Sequence, residues 1–98
     1  MKRYVGARTI DGIQVTVDGE PLAERTDIAA LTNTGFEWTY EGASPAQLAL
    51  AMLADHLGDD AKALELHKAF MRAVVANFGN DWEMTGDDID SALAAISP

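Results

Sequence analysis

GFEWTYEGASPAQLALAMLADHLG, residues 35–58, carries a strand signal and a helix signal back to back, and the fold turns on how the two are read. Phe36, Trp38 and Tyr40 alternate with Glu37, Thr39 and Glu41 between two glycines. Successive side chains of a strand point to opposite faces, so this spacing predicts a strand with an aromatic face and an acidic face. Ser44-Pro45-Ala46-Gln47 then reads as a helix start: serine caps, proline takes the first helical position and glutamine closes a capping box. The helix runs from Ala46 to Leu57 and stops at Gly58. Leu48, Leu50, Met52, Leu53 and Leu57 surround most of its circumference, as expected of a helix buried at the centre of a domain.

Toward the N-terminus, residues 23–34 hold no firm period and read as a loop, with a short helical turn over Asp27–Leu31. Before it, Ile13, Val15 and Val17 alternate with Gln14, Thr16 and Asp18, and Asp11-Gly12 and Asp18-Gly19 are turn dipeptides. Together with Tyr4-Val5 they predict a hairpin. Toward the C-terminus, Asp59-Asp60 caps a second helix from Ala61 to about Phe78. Its Lys62, Glu65, Lys68 and Arg72 cluster opposite Leu64, Phe70, Met71, Val74 and Phe78. Gly79-Asn80-Asp81 breaks it, Trp82–Thr85 adds a short strand, and Thr85 with Asp88 caps a last helix whose stripe is Ile89, Ala92, Leu93 and Ile96. The order is β-β-β-α-α-(β)-α: an α+β fold, with a small antiparallel sheet of three to four strands packed against three helices, in a single domain over residues 1–98.

At 48% hydrophobic and 23% charged, the chain has the make-up of a globular protein rather than a disordered one. It has no cysteine, which removes disulfides, thiolate zinc sites and thiol nucleophiles and fits the cytoplasm as the expected location. Lys2-Arg3 is followed by no apolar h-region, so the opening does not read as a signal peptide. The longest apolar run, Leu48 to Ala54, is far short of the ~20 residues of a membrane span. The net charge of −9 is unevenly placed. Residues 1–25 balance Lys2, Arg3, Arg8 and Arg25 against Asp11, Asp18, Glu20 and Glu24, so the whole excess lies in residues 26–98. Such a surface repels nucleic acid and anionic membranes and attracts basic protein surfaces, although acidity also serves solubility alone.

His67 is the residue with most chemical potential. Helical spacing places it between Val74 and Phe78 in the middle of an apolar face, where a histidine needs ring partners: a backbone carbonyl, or the Tyr4 or Tyr40 hydroxyl. His56, near the end of its helix, reads as a surface residue favoured by the helix dipole. The two histidines have no metal-ligand spacing, and Asp87-Asp88-Ile89-Asp90 lacks the glycine and closing glutamate of a calcium loop. No GxSxG, GxGxxG or P-loop occurs. No catalytic residue, metal or cofactor is therefore assigned, and the expectation is a protein that is not an enzyme.

The TGFEWTYEGASPAQLALAMLADHLGDDAKALELHKAF stretch, the KRYVGARTIDG opening and the WEMTGDDIDSAL ending together resemble a small domain-of-unknown-function family of bacteria, their phages and mobile elements. The resemblance implies a shared fold and supplies no residue roles. Its association with mobile elements implies a partner class, since small acidic proteins of such elements often mimic the charge of the nucleic acid whose binding they block. The leading expectation is an acidic protein-binding module of this inhibitor kind (anti-CRISPR or anti-restriction type), which occupies a basic surface of a nucleic-acid-binding complex and touches neither nucleic acid nor membrane. Its candidate contact residues are Glu37, Glu41, Asp55, Glu65, Asp81, Glu83 and Asp90, with Trp38 and Trp82 as anchors if the sheet face they occupy is uncovered. The alternatives are an adaptor or regulatory domain, and a small ligand-binding or enzymatic domain around His67. Oligomeric state is not legible.

Overall fold

The computed structural model describes residues 2–96. β1 (Arg3–Thr9), β2 (Gly12–Val17) and β3 (Glu20–Pro21) come first, then α1 (Ala43–Leu57) and α2 (Asp60–Ala73). A 3-10 turn (Val75–Asn77), β4 (Trp82–Thr85) and α3 (Gly86–Ile96) complete the order. The four strands form one antiparallel sheet, β3-β2-β1-β4, and with three helices this is the α+β arrangement expected.

Strand register decides which side of the sheet is the core. Tyr4 pairs with Val17 and Met84, Gly6 with Val15 and Trp82, and Arg8 with Ile13, so these residues share one face. Tyr4, Val15 and Trp82 are buried there, while Gln14 and Glu83 on the opposite face are exposed, the division of an antiparallel sheet covered on one side. Gly6 lies beneath the Trp82 indole. A Cβ at this position would sit 2.2 Å from the indole Nε1, so the tryptophan can cross β1 only over a residue without a side chain.

Residues 36–42 are not the third strand. That strand is β3, which follows a two-residue turn in which Asp18 (φ 51°) and Gly19 (φ 84°) both take the positive φ that matches strand twist. A strand needs a ladder beside it, and residues 36–42 pair with none of the four strands. Thr39 instead turns to φ 80°, which ends the extended alternation. Trp38 is consequently fully buried and Tyr40 half exposed, so the aromatic run has no common face. Its polar groups find partners elsewhere: Thr39 N–H donates to the Val75 carbonyl at 3.2 Å, and Arg8 Nη2 donates to the Trp38 carbonyl at 3.2 Å.

α1 is the buried centre, with every residue from Ser44 to Ala54 removed from solvent. It ends as expected at Gly58, whose N–H closes on the Ala54 carbonyl at 3.1 Å. Its start differs. The helix begins at Ala43 after Gly42, with no side-chain cap. Ser44 packs its hydroxyl 2.9 and 3.0 Å from those of Thr32 and Thr34. Gln47 accepts from Leu31 N–H at 2.8 Å and donates to the Glu24 carbonyl at 2.7 Å. Both expected capping residues are thus turned to the irregular segment that lies over them, whose partly buried polar groups have no ladder to satisfy them.

α2 is capped by Asp59, which accepts from Lys62 N–H at 3.0 Å, but it ends at Ala73, short of Phe78. The 3-10 turn tightens the chain there, and Phe78 leaves extended to stack on Trp82 with centroids 4.3 Å apart. Thr85 and Asp88 make the expected reciprocal cap of α3, at 3.2 and 2.9 Å. Among the described residues no helix is long and apolar enough to cross a membrane.

Candidate interaction surface

The basic side chains are mostly committed within the chain. Lys2 bonds Asp55 at 3.1 Å, Arg3 meets Glu83 at 3.4 Å and Arg72 meets Glu41 at 3.5 Å. Arg25 forks onto Asp27 at 3.0 and 3.1 Å and reaches Asp60 at 3.1 Å, tying the irregular segment to the start of α2. Arg8 is as enclosed as Arg25. Its guanidinium lies 4.7 Å from the centre of the Trp38 ring and grips both oxygens of Glu37 at 2.7 and 3.0 Å. This paired, forked geometry holds the Glu37 carboxyl below the usual carboxylate range against the opposing effect of desolvation. Among the described residues, Asp11, Glu20, Glu24, Glu65, Asp81 and Asp87 have neither an ion pair nor a side-chain hydrogen bond, and of the bases only Lys62 and Lys68 lack a carboxylate partner.

The residues singled out from the sequence therefore separate into groups. Glu65 and Asp81 stand exposed and unpaired. Glu37, Glu41, Asp55 and Glu83 are each paired to a base of the same chain. Asp90 accepts the His56 ring at 2.7 Å, so His56 links α1 to α3 instead of standing free at a helix end. Its ring also lies beside Gly86, where a Cβ would sit 3.0 Å away. Trp38 and Trp82 are 0% and 7% exposed and meet edge to face at 5.8 Å, which removes both from the surface and makes them core.

A feature that sequence reasoning missed lies at the other edge of the sheet. A groove of about 760 Å³ runs beside β2, walled by Gly12–Thr16, by Leu22 and Glu24, and across from them by Thr34 to Phe36. Consecutive residues of β2 line it, not alternate ones, so the strand presents its edge to the groove and not a face. No lysine or arginine lines it.

Residues 4–95 match a family of unknown function, DUF6166. The chain belongs to that family. No curated protein and no solved structure matches it. Membership in DUF6166 assigns no side chain a role, so the chemistry rests on the geometry alone.

Tyr4 and His67 are buried polar residues with partners inside the chain. Tyr4 is fully buried and donates to Asp55 at 2.6 Å. Burial first, and then that hydrogen bond, push its hydroxyl well above the ordinary tyrosine range. His67 is 4% exposed and sits within the core face of α2, with Nδ1 2.5 Å from the Leu64 carbonyl, the backbone partner expected of a core histidine. Its Nε2 has no partner, and neither has the Trp82 Nε1. The ring is thus removed from the surface. Among the described residues no group of three His, Asp or Glu side chains gathers closely enough to share a metal ion.

Proposed function

We propose that this DUF6166 domain is a non-catalytic protein-binding module whose partner presents a basic surface. One observation carries the reading: all four arginines engage carboxylates of their own chain, while six carboxylates engage nothing among the described residues. With the arginines internally compensated, only Lys62 and Lys68 among the described bases remain without a carboxylate, a small footprint for nucleic-acid phosphates. The uncompensated acids set the long-range field, which steers and selects a basic partner more than it adds raw affinity.

The narrower reading, a mobile-element inhibitor of anti-CRISPR or anti-restriction type, draws on the same carboxylates. They stand on the β1–β2 turn, on β3 and just beyond it, on α2, before β4 and on α3, so they belong to no single element. That spread favours a general basic-partner module over a close mimic of a phosphate backbone.

The test compares the native chain with a variant carrying Glu20→Gln, Glu24→Gln and Glu65→Gln, whose carboxylates make no ion pair or hydrogen bond among the described residues. Host proteins captured at low salt and identified by mass spectrometry should include basic ones that the variant loses and that added salt releases. If the native chain captures nothing the variant does not, the module reading fails. Competition by nucleic acid for a captured partner would then separate the inhibitor from the adaptor.

A further inference from the structure

We propose that the open edge of β2 receives an extended, lysine- or arginine-bearing segment of a partner protein, which adds to the sheet in the groove opposite Phe36. This rests on the basic-partner reading and names where and how that partner is held.

The edge is open because β3 is short. Its ladder covers only Thr16 and Val17, and the last bond on that side runs from Leu22 N–H to the Val15 carbonyl at 3.0 Å. That bond shows that the Val15 main chain points away from β1. Main-chain groups two residues apart in a strand point the same way, so the N–H and C=O of Ile13 also face the groove. After Leu22 the chain leaves the sheet, and among the described residues no strand lies beside Gly12–Gln14. An unpaired edge of this kind is a template for a further strand.

The walls define what fits. The unpaired stretch Gly12–Gln14, with Ile13 alone turning both its N–H and C=O to the groove, spans about 7 Å at roughly 3.4 Å per residue, enough for about three residues of extended chain, and Pro21 of β3 closes the other end. Ile13 and Phe36 are half-buried beside the buried Val15 and Leu22, an apolar lining for alternate side chains of the incoming segment. The polar component is acidic. Glu24 lines the groove without an ionic partner, the unpaired Glu20 and Asp11 are chain neighbours of the lining residues Pro21 and Gly12, and Arg25, next to Glu24, is held by Asp27 and Asp60. Charge complementarity therefore selects lysine or arginine at the positions that face outward. Ile10, fully exposed at the tip of the β1–β2 turn, gives a longer segment a further apolar contact.

The experiment is an NMR titration of the full chain with a capped hexapeptide alternating lysine and valine. Two control peptides accompany it, one with glutamate for lysine and one N-methylated on the amides of one edge. Amide shifts should concentrate at Gly12–Thr16 and at Thr34–Phe36, with slowed exchange of the Ile13 N–H. The glutamate peptide should produce none, and methylation should weaken binding by about fivefold for each main-chain bond lost. Ile13→Pro, which removes the edge N–H without touching the β1 ladder, should weaken binding by at least about fivefold while leaving the other strand amides in place. If that variant does not fold, the methylated peptide decides alone. Shifts absent from β2, equal shifts with the glutamate peptide, or an edge already closed by a second copy in light scattering would each overturn the proposal. If the shifts are absent from β2 while salt-sensitive capture of basic host proteins persists, the module reading stands and the groove is not its site.

Discussion

α1 and the irregular segment between Leu22 and Gly42 lie against one another in the core, and they satisfy their backbones in opposite ways. The helix closes its own hydrogen bonds, turn upon turn, and needs its surroundings only to cover its apolar surface. Among the described residues the segment closes one backbone-to-backbone bond of its own, from Ile28 N–H to the Arg25 carbonyl at 3.0 Å, beside a few short-range side-chain bonds. Gln47 holds Leu31 and Glu24, Arg8 holds Trp38, Arg25 reaches from within it to α2, and the 3-10 turn holds Thr39. A helix of this kind spreads its stability over many equivalent contacts. The segment concentrates it in a few side chains, each distant in sequence from what it holds, so single substitutions there should act far beyond their size.

Trp38→Ala tests that contrast most severely. It removes a fully buried indole that packs edge to face on Trp82 and lies under Arg8, and should destabilise the protein by about 3–5 kcal/mol in urea unfolding. A loss under about 1 kcal/mol would mean that the segment contributes little to the core. Gln47→Ala should cost less, about 2 kcal/mol, by leaving the Leu31 N–H and the Glu24 carbonyl without partners. Its signature is local: faster amide exchange at Leu31 and faster tryptic cleavage after Arg25, with the exchange of α1 amides little changed relative to global stability.

Glu37→Gln has the smallest effect and the clearest pH dependence. Because the Arg8 hydrogen bonds lower the folded-state pKa of Glu37, the contribution is present above the ordinary glutamate value of about 4.3 and is lost as pH falls through the folded value. The native chain should exceed the variant by about 1 kcal/mol at neutral pH, and the two unfolding midpoints should converge in acid. Parallel curves would show that the clamp acts through packing on Trp38 and not through charge.

The two regions also differ in how far they could be read in advance. The leucine-rich spacing of 48–57 and the stop at Gly58 were enough to place α1, since a helix is specified by neighbours three and four residues away. The hairpin, the Asp59 cap and the Thr85–Asp88 box were legible for the same reason. Phe36-Glu37-Trp38-Thr39-Tyr40 carried an equally regular pattern and formed no strand. Alternation shows that a segment is compatible with a sheet; it does not supply the neighbouring ladder. Ser44 and Gln47 show the same limit, since their spacing matches a capping box and their actual partners lie in a loop that the spacing cannot position.

The candidate surface was legible only as a total. Net charge and its confinement to residues 26–98 can be counted along the chain, but which acids remain unpaired depends on where Arg3, Arg8, Arg25 and Arg72 fall in space. The sequence by itself determined the α+β class, the central helix, the core position of His67 and an acidic chain without cysteine. Tertiary structure alone decided that Trp38 is buried while Tyr40 of the same run is half exposed, that Glu37 belongs to a clamp, and that β2 keeps an open edge. The physical reason is range. Helices, turns and caps are settled by bonds within a few residues, whereas ladders, ion pairs and grooves are settled by distances between residues that the chain separates by dozens.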